Sequence, residues 1–402
     1  MGYDNLLIVL VVAAAVPFLL ALVPRVPLPG PVLEIVAGIV LGPAVLNLVR
    51  PDATVQALSV IGLSFLLFLA GLEIDFQLLR GPLARLVAVG LVASIALAGI
   101  VGWGLDLAGL VESPLLIGTA LVATSLGLLV PILKDADAVG RPVGQLTICG
   151  ASAGDISAVV LLSLFFSEHS SSPGSRVLLL ISLACLTALI VVTSMRAGRS
   201  MWLSRTLVNL ADTSAQIRIR LTMVLVVGLS AVAMHLGFEA VLGAFIAGAV
   251  LRLVAPDADR KHPQFHVKLQ GIGYGFLVPI FFVTSGIQFD LKALFADTAT
   301  LLRVPLFLAA LLLVRGLPAL VYRRAGLSPA EVFASGVLQA TSLPFIVVTT
   351  TIGLKLDAIQ PANAAALVAA GLLSVIVFPL TALPLLNRSR EPVKPDSQER
   401  PD

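Results

Sequence analysis

Asp155 stands halfway along an apolar run, with Ile148 to Gly154 before it and Ile156 to Leu164 after it. An ionised, unpaired carboxylate in hydrocarbon is expensive, so it requires a partner, a cation or a proton. Ser152, three residues earlier, shares a helical face with it and predicts a second oxygen ligand. A group that holds either a proton or a cation, one at a time, is the minimum equipment for exchanging the two. Oxygen donors suit hard cations such as Na⁺, Li⁺ or K⁺, so the expected metal at Asp155 is a transported monovalent cation. No Cys or His cluster suggests a transition metal. The plainer alternative is a structural carboxylate that ties helices together.

Five further groups of residues bear on the same chemistry. Arg315 lies between Pro305–Val314 and Gly316–Val321, a stretch of apolar residues and glycine. A guanidinium stays protonated in proteins, so it can fix or pair charge but cannot carry the moving proton. It could instead snorkel to a nearby helix end. Glu73 and Asp75 close another apolar run, and Glu73 is the expected charge partner of Arg315. Glu34 near the start of a run has no assigned role. His235 and Glu239 fall in a short turn and are expected to be exposed, and His262 and His266 lie in a basic loop.

An internal echo suggests how the acid is presented. Ala123-Thr124-Ser125-Leu126 recurs as Ala340-Thr341-Ser342-Leu343, and prolines follow at Pro131 and Pro344. Proline cannot donate to the carbonyl four residues back, and Thr and Ser side chains can satisfy the freed groups. The pattern predicts two interrupted helices that cross, with Thr124 and Ser125 beside the ion and Thr341, Ser342 and Pro344 on the opposing chain. Half-helix ends would supply dipoles and unwound carbonyls would supply oxygens. Small polar residues that merely pack helices together are the alternative.

The elements that must position these residues are transmembrane helices. Of 402 residues, 58% are hydrophobic and 12% charged, against roughly 25% charged in soluble domains. Apolar runs and breakers predict an all-α polytopic membrane protein with about thirteen spans. They cover 5–23, 31–48, 54–72, 83–105, 114–133, 143–166, 176–195, 217–236, 239–254, 269–287, 299–322, 329–351 and 361–386. Of the 26 Lys and Arg residues, 20 fall after odd-numbered spans. Five fall on the opposite face (Arg50, Arg176, Lys292, Arg303 and Lys355), and Arg315 lies within a span. Positive residues collect on the cytoplasmic side, which predicts an outside N-terminus and a cytoplasmic C-terminus. The echoed segments are seven spans apart and therefore run in opposite directions, as an inverted repeat requires.

The first run has no positive segment before it and no small-residue cleavage site after it, so it is expected to be a retained helix. The loop from Arg196 to Arg220 mixes arginines with apolar residues and could lie on the membrane surface. Residues 387–402 form a short polar tail. Cys149 and Cys185 lie in apolar runs and are expected to be buried. No cofactor and no nucleic-acid partner is expected.

Several segments together resemble a known family. Leu33-Glu34-Ile35-Val36-Ala37-Gly38-Ile39-Val40-Leu41-Gly42-Pro43 looks like the second-helix motif of the cation:proton antiporter-2 branch of the monovalent cation:proton antiporters. Phe65 to Asp75 (FLLFLAGLEID), Leu242 to Gly248 (LGAFIAG) and Pro279 to Ile287 (PIFFVTSGI) are similar to further segments. The resemblance covers about residues 5–386. It implies a membrane domain over 1–386 with a moving core, around 114–166 and 299–386, and dimerisation helices in the remainder. It also implies a homodimer, an ion-binding aspartate at Asp155 and an intramembrane basic residue at Arg315. One departure is Gly154, where relatives often carry Asp, Asn or Gln before the essential aspartate. With one carboxylate at the crossing, exchange of one cation for one proton is expected, without net charge movement, in the cell membrane. A sodium-coupled symporter for an organic solute, a channel-like potassium efflux protein and a non-transporting sensor remain alternatives.

Overall fold

The computed structural model describes residues 4–22, 29–74, 83–166, 216–254 and 263–388, with isolated positions between 174 and 188. The seventh expected span, most of the Arg196–Arg220 loop, Asp75, His262 and the tail beyond Arg388 lie outside the described residues. Among those described, every regular element is helical. The elements are α1 (Asp4–Leu22), α2 (Gly30–Leu41), α3 (Ala53–Leu72), α4 (Ala84–Leu107), α5 (Pro114–Val122), α6 (Leu126–Asp135) and α7 (Pro142–Phe165). They continue as α8 (Ile217–His235), α9 (Ala240–Val254), α10 (Pro263–Ile272), α11 (Val278–Ile287), α12 (Leu291–Phe295) and α13 (Thr298–Leu311). α14 (Pro329–Gln339), α15 (Pro344–Lys355) and α16 (Pro361–Arg388) complete them. Among the described residues, eight helical stretches are long and apolar enough to cross a membrane, and four shorter apolar stretches accompany them.

Prolines that punctuate the sequence turn out to start helices. Pro31, Pro114, Pro142, Pro329 and Pro344 all sit in the first turn of theirs, where a missing N–H costs nothing. α14 adds a capping box: Ser328 accepts from the Glu331 amide at 3.3 Å and the Ser328 amide donates to Glu331 at 3.0 Å. α2 is shorter than the expected span because the chain breaks at Gly42-Pro43.

Glycines decide how closely the helices approach. A Cβ on Gly38 of α2 would run into the Val283 carbonyl of α11, and one on Gly286 into the Ile35 carbonyl. Gly71 of α3 meets the Phe245 carbonyl of α9, and Gly248 meets that of Phe68. These four glycines belong to the segments that carried the family resemblance. Their physical job is backbone-to-backbone contact, which lipid-embedded helices use in place of a hydrophobic driving force. Outside the packed interior, Phe18, Val92, Ile100, Leu107 and Val224 are each at least two-thirds exposed. In a helical bundle of this composition they form the lipid-facing surface.

Candidate functional site

Both echoed segments interrupt their helices. α5 ends at Val122 and α6 begins at Leu126; α14 ends at Gln339 and α15 begins at Pro344. The unwound stretches touch: the Ser125 amide donates to the Thr341 carbonyl at 3.0 Å. In the first stretch the break falls on Ala123-Thr124-Ser125 itself. The helix then runs through Pro131, so that proline is not the interruption. In the second, Pro344 is the first residue of the new helix.

Asp155 of α7 faces the first break and is 8% exposed. The Thr124 amide donates to its Oδ1 at 2.9 Å. The Thr124 hydroxyl donates to the Gln339 carbonyl at 2.9 Å and accepts from Arg315 Nε at 3.0 Å. Arg315 thus reaches the acid only through Thr124. Among the described residues, no basic side chain forms an ion pair with Asp155.

The guanidinium is otherwise fully engaged. Arg315 Nη2 donates to the Gly150 carbonyl at 2.7 Å and to Gln339 Oε1 at 3.4 Å, and Nη1 donates to Ser94 at 3.4 Å. Tyr322 also donates to Gln339 Oε1 at 3.4 Å, and Gln339 Nε2 donates to Ser335 at 3.1 Å. Arg315 sits in a π-helical turn, Leu312–Gly316, followed by a 3₁₀ stretch, Leu317–Ala325, that carries Tyr322. Widened turns of this kind re-aim a side chain within a helix. Snorkelling does not occur: Arg315 is 2% exposed and bonded inward.

The geometry explains Gly154. A Cβ there would lie 2.7 Å from Arg315 Nη2, 2.9 Å from its Cζ and 3.1 Å from the Val122 carbonyl oxygen. The guanidinium occupies the volume that a side chain before the aspartate would take.

A cavity of about 80 Å³ leads to Asp155, with Thr124, Ser125, Leu126 and Gly127 on one wall and Glu73 and Tyr274 further along. Its volume suits a few waters or one partly hydrated ion.

Two expectations need correction. Glu73 does not pair with Arg315; its Oε1 accepts from the Tyr274 hydroxyl at 3.5 Å. Glu73 caps the end of α3, whereas the guanidinium is turned toward Gly150 and Gln339. Ser152 is buried but does not line the cavity, and its hydroxyl has no partner. On α7 the cavity is lined by Asp155 and Val159 and ends short of Ser152, which lies one turn earlier on the same face. Thr341 and Ser342 are buried at the crossing with unpartnered hydroxyls, and Pro344 lines the cavity.

Outside the site, Cys149 is buried and Cys185 is exposed rather than buried. Glu239 is not free in its turn, since Lys355 lies 3.7 Å away. Glu34 is buried. Sequence reasoning missed Gln339, Tyr322, Ser94 and Tyr274. Gln339 carried a usable signal, a long polar side chain within an apolar run directly before the second echo.

Residues 9–388 match the family described as sodium/hydrogen exchanger, transmembrane. The chain belongs to the sodium/hydrogen exchanger family. This exchanger-family chain is 32% identical to YjbQ of Bacillus subtilis over 403 residues, which is 96% of this chain and 64% of that protein. It therefore spans somewhat less than two-thirds of that relative's length. It is 30% identical to the Na(+)/H(+) antiporter NhaS4 of Synechocystis sp., covering 89% of this chain and 90% of that one. Its fold is similar to that of the sodium proton antiporter MjNhaP1 from Methanocaldococcus jannaschii, with a TM-score of 0.64 over 94% of this chain and 97% of that one, at 19% identity. The exchanger-family chain is accordingly a multi-pass membrane protein. The match agrees with the antiporter resemblance drawn from its sequence motifs.

Proposed function

We infer that this protein exchanges a monovalent cation, Na⁺, Li⁺ or K⁺, for a proton at Asp155. The observation that carries the reading is a buried carboxylate lining a small cavity, held by the backbone of the first break and, among the described residues, by no basic side chain. Such a carboxylate loses little by trading its proton for a cation. Thr124 and Ser125 line the same cavity and are the nearest further oxygen donors. Arg315 supplies a fixed positive charge one residue away, lowering the cost of an ionised site without competing for it.

The rest of the reading follows from the sequence pattern. Thirteen spans and an inverted repeat relate the two broken helices. The lysine and arginine bias puts the C-terminus, and with it the Glu73 end of α3, on the cytoplasmic side of the cell membrane. The core at 114–166 and 299–386 moves against the remaining helices in a homodimer. One exchangeable acid at the crossing favours one cation per proton. The relatives' names as Na⁺/H⁺ antiporters support the choice of substrates. The cavity volume disfavours symport of an organic solute, since pockets for small molecules run to roughly 300–1,000 Å³.

The test is a liposome assay with an internal pH dye and each cation added in turn. Wild-type protein collapses a proton gradient on addition of a transported cation, and Asp155→Asn does not. Wild-type rates in Asp155→Asn would remove the acid from the mechanism, and strong acceleration by an imposed membrane potential would refute the one-for-one stoichiometry.

A further inference from the structure

The cavity that ends at Asp155 contains a second carboxyl group that the proposed exchange does not yet use. Among the described residues, Glu73 Oε2 is shut off from solvent and has no hydrogen-bond partner. Its other oxygen accepts only the long bond from Tyr274. A native protein rarely leaves a buried carboxylate oxygen bare unless something else occupies it for part of its cycle. The surroundings favour a cation. Glu73 caps the C-terminal end of α3, its own amide donating to the Leu69 carbonyl, and helix C-termini attract positive charge. Across the cavity stands Gly127, in the first turn of α6; a Cβ there would lie 3.6 Å from Glu73 Oε2 and 3.2 Å from the Tyr274 hydroxyl. Glycine keeps this passage open. Tyr274 projects from a π-helical turn, Gly273–Leu277, between α10 and α11. That turn places its hydroxyl over the carboxylate rather than along the regular helix face.

We propose that Glu73, steadied by Tyr274, is a second cation- and proton-exchange position in the same cavity, at the C-terminal end of α3, handing ions to and from Asp155. The proposal rests on the antiporter reading and extends it. In the step itself a cation held by ionised Glu73 passes to Asp155 while the Asp155 proton passes, through cavity water, to Glu73. One carboxylate, one carboxylic acid and one cation are present before and after, so the charge within the cavity is unchanged. Ionising both acids without a cation between them would be far costlier in so dry a space. Among the described residues, Asp155 and the Tyr274 hydroxyl are the ionisable groups facing Glu73 across the cavity, and no basic side chain lines it.

The experiment measures half-saturating concentrations of Na⁺, Li⁺ and K⁺ separately from each face, in proteoliposomes of defined orientation. Glu73→Gln keeps the shape and the bond from Tyr274. It raises the constant on the cavity face about tenfold, with the far-face constant within about twofold of wild type. Tyr274→Phe shifts the same constant in the same direction by a smaller factor, and Glu73→Asp falls between Gln and wild type. Unchanged constants on the cavity face in Glu73→Gln would overturn the proposal. So would an equal rise on both faces, which would mark a purely structural role. Either result leaves the role of Asp155 standing, because that role fails only if Asp155→Asn still exchanges. Should Glu73→Gln not fold, Tyr274→Phe decides the matter by the same asymmetry.

Discussion

Gly154→Ala is the smallest change that tests whether Arg315 is seated as described. The added methyl would lie 2.7 Å from Nη2 and 2.9 Å from Cζ of Arg315, and 3.1 Å from the Val122 carbonyl oxygen. Ordinary contact begins several tenths of an ångström further out. The carbonyl belongs to the last turn of α5 and cannot yield easily, so the guanidinium must move. Its bond to the Gly150 carbonyl, 2.7 Å, comes from the same Nη2 that clashes and is the first to stretch. A charge-assisted hydrogen bond contributes roughly 1.5–3 kcal/mol, and overpacking by one carbon costs about 1–3 kcal/mol. These describe one displacement seen twice, so the expected loss is about 2–3 kcal/mol rather than their sum. The assay is thermal unfolding in detergent beside cation-dependent proton flux in liposomes. Gly228→Ala in α8, where a new Cβ meets nothing within 4 Å, is the control and stays at or slightly above wild-type stability. If Gly154→Ala unfolds with the control and transports at wild-type rate, the guanidinium is not where the structure puts it.

Competition at one acid sets the pH dependence of exchange. Where Asp155 is mostly protonated, each unit fall in pH raises the half-saturating cation concentration about tenfold and leaves the saturating rate unchanged; a saturating rate that falls in step would refute simple competition. Asp52 gives a separate prediction, outside the membrane spans. Its carboxyl, held chiefly by the Val55 amide at 2.9 Å, titrates below the ordinary Asp value of 3.8. That stabilisation is complete above the unfolded value and is lost as pH falls through the folded one. Asp52→Ala therefore lowers the melting temperature at neutral pH, and the difference from wild type shrinks on acidification to about pH 3.

Charges and breakers inside apolar runs are visible in one dimension, which is why Asp155, Arg315 and the two Ala-Thr-Ser segments could be read from the sequence. What they touch could not. Ser94, Gly150 and Gln339 converge on the guanidinium from three helices, with Tyr322 bonded to Gln339 behind them, and nothing in their spacing announces it. Pairing Glu73 with Arg315 followed from opposite charge alone. It failed because buried carbonyl and amide oxygens satisfy a guanidinium as well as a carboxylate does. Pro131 follows the first echo, yet the chain opens before it, where its amides find partners outside their own helix. The Thr124 amide goes to Asp155 and the Ser125 amide to the Thr341 carbonyl.

Thr124 is held on three sides. Its amide hydrogen, hydroxyl hydrogen and hydroxyl lone pair are each committed, to the acid, to the opposed chain and to the fixed positive charge. A single residue thereby welds three parts from distant stretches of sequence into one component. If the cargo's seat shifts across the bilayer, it travels already assembled, and the barrier to its journey lies in the surfaces it slides past rather than in rebuilding the seat at each end.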